Sequence, residues 1–340
     1  MVLRSGILRG FFLSSNYCRI LTRKQIVKIK MDWFSFAILG YFFLSLEVVL
    51  DKFLLSSKRV SHPVIYSFYA GTLGLFALVF CFSENFHFLD SSGIVSRFIG
   101  GIIFAYAMLS LFFALNKSEA SRVTPVTGAV IAIVAFLLSM VFMNERLAQK
   151  EIFGLTLLIC GGLWISYDFS RDRKQRLFDG FYVSILAGFL LGVSLTLNKH
   201  FYIEDNFINS YIWTRIGAFL GALSFFIVPS WRKLLVNSLS GAKKSRKKNK
   251  HSSGLLFVVT RSFGGVGSFL KEFATSFGVA SVAIVNALVS VEYVLVYVLG
   301  IIFSLWIKNV FNEKRDWKSV VQKIIAIMII SIGVALVKHK

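Results

Sequence analysis

The chain has 340 residues, 56% hydrophobic and only 16% charged, with a mean hydropathy of +0.70; soluble domains carry charge on about a quarter of their residues, so a soluble globular fold is excluded. The formal charge of +21 sits in short basic runs between apolar segments, which suits anionic lipid headgroups. With no basic stripe interleaved with aromatics outside the apolar runs, it argues against nucleic acid. Cys18, Cys81 and Cys160 are scattered, so neither a disulfide framework nor a zinc site is expected.

Residues 1–32 differ in kind from the rest of the chain. Arg4, Arg9, Arg19, Arg23, Lys24, Lys28 and Lys30 occur there with no acid among the first thirty residues and no apolar run long enough for a signal sequence or a span. An amphipathic presequence has this composition; a start at Met31, directly before the first span, is the favoured alternative. Ten segments then approach the roughly twenty apolar residues that cross a bilayer as a helix. In the first half they are Trp33 to Leu55, Pro63 to Phe82, Phe98 to Leu115, Val123 to Met143 and Ile152 to Tyr167. In the second they are Phe181 to Leu197, Ile208 to Val228, Leu255 to Phe277, Val279 to Trp306 and Val320 to Val337. Barrel strands would be half this length and alternating, so an all-α membrane protein with ten transmembrane helices is predicted.

The two halves resemble each other. Leu39, Phe42, Leu44, Leu50, Asp51 and Lys52 lie opposite Leu186, Phe189, Leu191, Leu197, Asn198 and Lys199. Phe113-Ala114 and Ala120-Ser121 match Phe273-Ala274 and Ala280-Ser281, and Asn144-Glu145-Arg146 matches Asn312-Glu313-Lys314. Five spans per half force the second copy to enter the membrane upside down, giving two inverted five-helix repeats. The expected units are 33–168 and 180–337, joined by a charged linker at 169–179, with a basic loop at 238–253 inside the second. Proline in the first turn opens the span at His62-Pro63, and Pro125 has the same role or kinks its helix mildly. The run Gly264-Gly265-Val266-Gly267-Ser268 serves close helix packing or an unwound segment. Arg171 to Arg176 and Lys243 to Lys250 put the loops after odd-numbered spans in the cytoplasm, whereas the basic N-terminal stretch pulls the other way, so orientation stays open.

Ionisable groups within spans are costly and mark candidate sites. Glu47 lies deep in the first span, one turn from Asp51. Lys52 and its repeat partner Lys199 suggest matched positions at opposite mouths of one cavity, or headgroup anchors. Arg215, flanked by Tyr211 and Trp213, requires a carboxylate, carbonyls or an anionic ligand. Arg261, Ser268 and Glu272 share one helical face with Lys271 beside it, a stripe that should look into the bundle. Glu292 is isolated in the ninth span near Asn286, Ser290 and Tyr293, and reads as a partner of Arg215 or Arg261, a proton carrier or a solute ligand. The predicted solute-binding set is Glu47, Lys199, Tyr211, Trp213, Arg215, Arg261, Ser268, Lys271, Asn286 and Glu292. No Gly-rich phosphate loop, Asp-rich pair or Gly-x-Ser-x-Gly elbow is present. His62, His87, His200, His251 and His339 have no ligand spacing, so no catalytic residue, metal or cofactor is expected.

The stretch Ala114 to Pro125, reading Ala-Leu-Asn-Lys-Ser-Glu-Ala-Ser-Arg-Val-Thr-Pro, resembles the drug/metabolite transporter superfamily of the EamA type. Asn144-Glu145-Arg146-Leu147, Gly154 and Gly161-Gly162 complete the resemblance, which covers about Trp33 to Val337. It implies a central cavity walled by both repeats, and solutes ranging over amino acids, drugs, nucleotide sugars and sugar phosphates. Glu145 and Glu313 would cap loops. The second repeat departs from the pattern, with Val285 in place of Pro125 and Glu292 in place of Ala132. The expectation is a multi-pass secondary transporter, in a cell membrane or an organelle membrane, moving a small polar or amphipathic metabolite by alternating access, with a tilt toward anions. Its partners would be the solute, the bilayer, and protons or a counter-solute; a homodimer is compatible with the reading. The alternatives are a membrane-embedded transferase or lipid-handling enzyme, and a non-transporting accessory protein.

Overall fold

In the computed structural model the described residues are 32–56, 62–84, 86–117, 120–144, 146–166, 180–240, 250–278, 280–306 and 317–338. They are all-α. The helices are α1 (Trp33–Ser56), α2 (Pro63–Leu73, continued by a tighter 3-10 stretch Gly74–Phe82), α3 (Ser91–Lys117), α4 (Ala120–Phe142), α5 (Gln149–Ser166) and α6 (Phe181–Glu204). They continue as α7 (Phe207–Ser224), α8 (Pro229–Leu239), α9 (Lys250–Ser276), α10 (Val282–Ala287), α11 (Val289–Trp306) and α12 (Trp317–Lys338). Residues 1–31 and the side chains of Asp51, Lys52, Glu145 and Glu313 lie outside the described part of the chain, as do the linker at 169–179 and most of the basic run at 243–250.

Each predicted span coincides with a helix, and seven helices among the described residues are long and apolar enough to cross a membrane: Trp33–Leu50, Pro63–Phe82, Ser91–Lys117, Val123–Phe142, Phe181–Glu204, Phe207–Ile227 and Val282–Gly300. The remaining predicted spans fall on helices α5, α9 and α12: α5 begins Gln-Lys-Glu, α9 carries Arg261, Lys271 and Glu272, and the described part of α12 holds the apolar stretch Val321–Val337. The predicted ninth span is divided, because the chain turns at Leu288 between α10 and α11. Pro125 lies inside α4, past its first turn, where it removes a backbone donor and favours a kink.

Local signals set the ends that are described. The His62 ring accepts from the Val64 amide at 3.3 Å, with Pro63 in the first turn of α2. The Asn206 carboxamide oxygen accepts from the Asn209 amide at 2.8 Å and opens α7, satisfying a donor that has no partner inside the helix.

Glycine governs how closely the helices approach. The glycine run in α9 stays helical, and a methyl group at Gly267 would lie 2.8 Å from the Gly40 carbonyl oxygen of α1. At the crossing of α3 and α7 a methyl on Gly101 would meet the Thr214 carbonyl oxygen at 2.1 Å, and one on Gly217 would meet the Phe98 Cα at 2.7 Å. Small residues of this kind replace the hydrophobic effect as the packing device in lipid. The most extensive helix contacts are those of α1 with α9, α3 with α6 and α7, α4 with α6, and α5 with α12. Substituting Gly101→Leu should destabilise the protein by about 1–3 kcal/mol or more, the usual cost of overpacking. Gly265→Leu, where nothing lies within 4 Å of the added carbon, should leave the melting temperature of the solubilised protein unchanged; equal effects would mean that the α3 and α7 backbones do not cross so closely.

Candidate functional site

The interior charges are organised by α9. Near its middle, the Arg261 guanidinium pairs with the Glu47 carboxylate of α1 at 2.7 Å and lies 4.8 Å from the centre of the Tyr66 ring of α2. Gly264, one turn on, leaves room for that carboxylate: a methyl there would sit 2.2 Å from it. Three turns beyond Arg261, Glu272 is buried and pairs with Arg215 of α7. Its second oxygen accepts from the Tyr202 hydroxyl at 2.5 Å. Arg215 is held between the rings of Tyr211 at 4.6 Å and Phe104 at 5.1 Å, so its charge faces a carboxylate on one side and π-electrons on others.

Lys271 and Glu292 behave differently. Among the described residues neither makes a hydrogen bond or a direct ion pair, yet each lies within electrostatic reach of the other. Lys271 also feels Glu272 and Arg215, and Glu292 feels Glu47. Both are partly buried, and opposite charges within electrostatic reach that do not touch can receive a charged solute, an ion or water between them. Tyr41 stands beside Glu292, its hydroxyl donating to the Val285 carbonyl at 2.8 Å. Tyr293 donates to the Thr124 carbonyl at 2.7 Å, tying α11 to α4.

The remaining predicted residues divide. Ser268 is half-buried on α9. Lys199 is fully buried, with its ammonium donating to the Ala280 carbonyl, so it ties α6 to the turn before α10 and does not sit at a headgroup or a cavity mouth. Trp213 is buried, stacks on Phe86 and donates to the His87 carbonyl at 3.5 Å. Asn286 is buried and donates to the Val282 carbonyl within its own helix at 2.8 Å. Glu292 is paired with neither Arg215 nor Arg261, which take Glu272 and Glu47 instead. The predicted set omitted Glu272, Tyr66, Tyr202 and Tyr41. A tyrosine at depth in a span needs a partner for its hydroxyl, and that signal could have found the last two. A small crevice between α4, α5 and α11 is lined by Pro125, Gly128, Ile159, Gly162, Ser290 and Tyr293, without a charged side chain. Among the described residues no three His, Cys, Asp or Glu side chains converge to hold a metal ion.

Residues 31–167 match the EamA-like transporter family, a stretch that contains α1 to α5. This segment is an EamA-like transporter domain. With seven helices among the described residues long and apolar enough to cross a membrane, the chain is a multi-pass membrane protein. No curated protein matches it. Among solved structures 29 chains match; one crystal structure, 15% identical, has a TM-score of 0.59 and covers 90% of this chain and 95% of its own. At that identity the likeness is one of fold, and it reaches well past residue 167, into the half that the family match leaves out.

The buried pair gives a direct test. Truncating Arg215→Ala or Glu272→Ala leaves one charge unmatched in a dry site, which costs about 3–5 kcal/mol. Replacing both with apolar residues, Arg215→Met with Glu272→Leu, should be less damaging than either truncation when thermal unfolding is followed in detergent. If the two truncations simply add, the pair is not coupled.

Proposed function

We propose that the chain is a secondary transporter that moves a small charged metabolite by alternating access between two inverted five-helix repeats, 33–168 and 180–337. The helix pairing supports the inverted arrangement. If α1 to α5 correspond to α6, α7, α9, α10–α11 and α12, the contact of α1 with α9 has its counterpart in that of α6 with α3. The contact of α4 with α6 has its counterpart in that of α11 with α1. The pairs α2 with α7, α4 with α10 and α5 with α12 are each their own counterpart. A two-fold exchange of repeats produces this pattern.

The observation that carries the reading is the open pair of Lys271 and Glu292. Arg215 and Arg261, which in sequence argued for an anionic solute, are neutralised by Glu272 and Glu47. Lys271, which has no direct ion pair among the described residues, is then placed to attract an anionic group. Glu292 is placed to receive a proton or a cationic group of the same solute, and binding would draw α9 and α11 together. Movement of the repeats around such a central site is how an inverted repeat exposes it to each side in turn.

Purified protein in proteoliposomes should take up or release at least one member of a panel of anionic, zwitterionic and cationic metabolites, assayed with and without a pH gradient. Lys271→Ala and Glu292→Gln should each reduce the rate at least tenfold, while Trp213→Phe retains most of it. Transport that survives both changes would remove this site from the mechanism, and failure of every solute would count against transport itself.

A further inference from the structure

Helix α8 is not a span. Its 11 residues extend only about 16 Å, half of the hydrocarbon thickness, and a single residue, Val228, separates it from the end of α7 and its short 3-10 extension. It therefore leaves the bundle at the membrane surface. One strip of it, Trp231, Leu234, Leu235 and Ser238 at i, i+3, i+4, i+7, packs inward: Leu235 is 1% exposed. The Trp231 ring meets Phe225 edge-on at 5.9 Å and Phe113 at 6.5 Å, and the Ser238 and Tyr69 hydroxyls are 3.3 Å apart.

The rest of α8 is turned outward and is itself divided. Arg232, Val236 and Leu239 form one exposed strip, with Val236 46% and Leu239 55% open. Lys233 and Asn237 form a second, wholly polar exposed strip. A helix with one face on protein, one face mixing apolar side chains with a cation, and one face purely polar fits the plane between acyl chains and headgroups. Ile227, just before it, is 80% exposed and extends the apolar edge. Exposed Lys117 lies at the same end of the bundle, since Phe113 in the last turn of α3 touches Trp231. The sequence after α8 reads Ser-Gly-Ala-Lys-Lys-Ser-Arg-Lys-Lys-Asn-Lys, with no acid.

We infer that α8 is an interfacial helix that docks on an anionic lipid surface, with Val236 and Leu239 in the acyl boundary and Arg232 and Lys233 on the headgroups. The commitment to lipid rests on the exposed valine and leucine beside the cations, because a soluble anion would engage the charges alone. Each basic residue near such a surface attracts it measurably, so the bound lipid should be selected by charge. This inference is independent of the solute.

The test uses the full chain in nanodiscs, with Cys18, Cys81 and Cys160 changed to serine and a fluorescent reporter attached through Val236→Cys or, separately, Asn237→Cys. In discs containing phosphatidylglycerol, lipids brominated near the top of the acyl chain should quench the reporter at position 236 strongly, and iodide should reach the reporter at 237. Native mass spectrometry should show retained phosphatidylglycerol falling two- to threefold in Arg232→Gln/Lys233→Gln, a pair of exposed changes that should leave folding intact. Quenching at 236 by iodide and not by brominated lipid would overturn the interfacial placement. Retention of phosphatidylcholine and phosphatidylglycerol alike, unaffected by the double change, would overturn the selection for negative charge.

Discussion

A charge carried into hydrocarbon must meet its opposite or give up the site, and helix α9 carries three. Arg261 reaches Glu47 on α1, Glu272 reaches Arg215 on α7, and Lys271 lies within the field of Glu292 on α11. One polar helix is thereby registered against three neighbours at two heights, Arg261 near its middle and the adjacent Lys271 and Glu272 about three turns on. The glycines of α9 belong to the same constraint. A side chain at Gly264 would occupy the space of the Glu47 carboxylate, and one at Gly267 would push α1 away. The run of small residues is therefore what lets the ion pair close, and the ion pair is what makes a polar helix tolerable at this depth.

The aromatic residues complete that arrangement. Tyr202 supplies a hydrogen to Glu272, and Tyr211 and Phe104 present ring faces to Arg215, so the buried charges are enclosed by polarisable groups as well as by one another. Phe207, Phe269 and Phe273 pack around the same place, with ring centres between 5.2 and 6.4 Å apart. Lys271 and Glu292, on the same set of helices, lack such direct partners among the described residues, and that contrast sets them apart from the charges that tie α9 to α1 and α7.

Apolar run length was enough to place the seven helices among the described residues that are long and apolar enough to cross a membrane, because span length is set by the bilayer and leaves a strong one-dimensional signal. It gave no sign of the break in helix regularity at Leu288 inside the Val282–Gly300 span, because Val279 to Tyr293 is apolar apart from Ser281, Asn286, Ser290 and Glu292, with no proline or glycine to mark it. The candidate site was legible residue by residue but not as pairs. Glu47, Arg215, Arg261 and Glu292 each stand out as ionisable groups at depth, whereas the choice of Glu272 for Arg215 and Glu47 for Arg261 depends on how helices distant in sequence are rotated against each other. Lys199 shows the limit most clearly. Its kinship with Lys52 across the repeat suggested a cavity mouth, but its ammonium is directed to the Ala280 carbonyl, 81 positions away, a contact no spacing rule contains.

The contacts that break the proposed symmetry lie at two helix crossings. Helices α3 and α7 meet backbone to backbone through Gly101, Gly217 and Gly221. The corresponding helices, α9 and α2, touch mainly through side chains, with Arg261 above Tyr66 and the Phe269 ring stacked on Phe80 at 5.2 Å. In the register of the repeat that aligns Phe113 with Phe273, Arg261 falls where α3 has Gly101. A guanidinium cannot occupy the volume of a hydrogen atom, so the second crossing cannot reach the closeness of the first while Arg261 stays between the helices. The two crossings therefore differ in kind: α3 and α7 meet where side chains are absent, whereas at α9 and α2 the Arg261 guanidinium, paired with Glu47, stands over the Tyr66 ring.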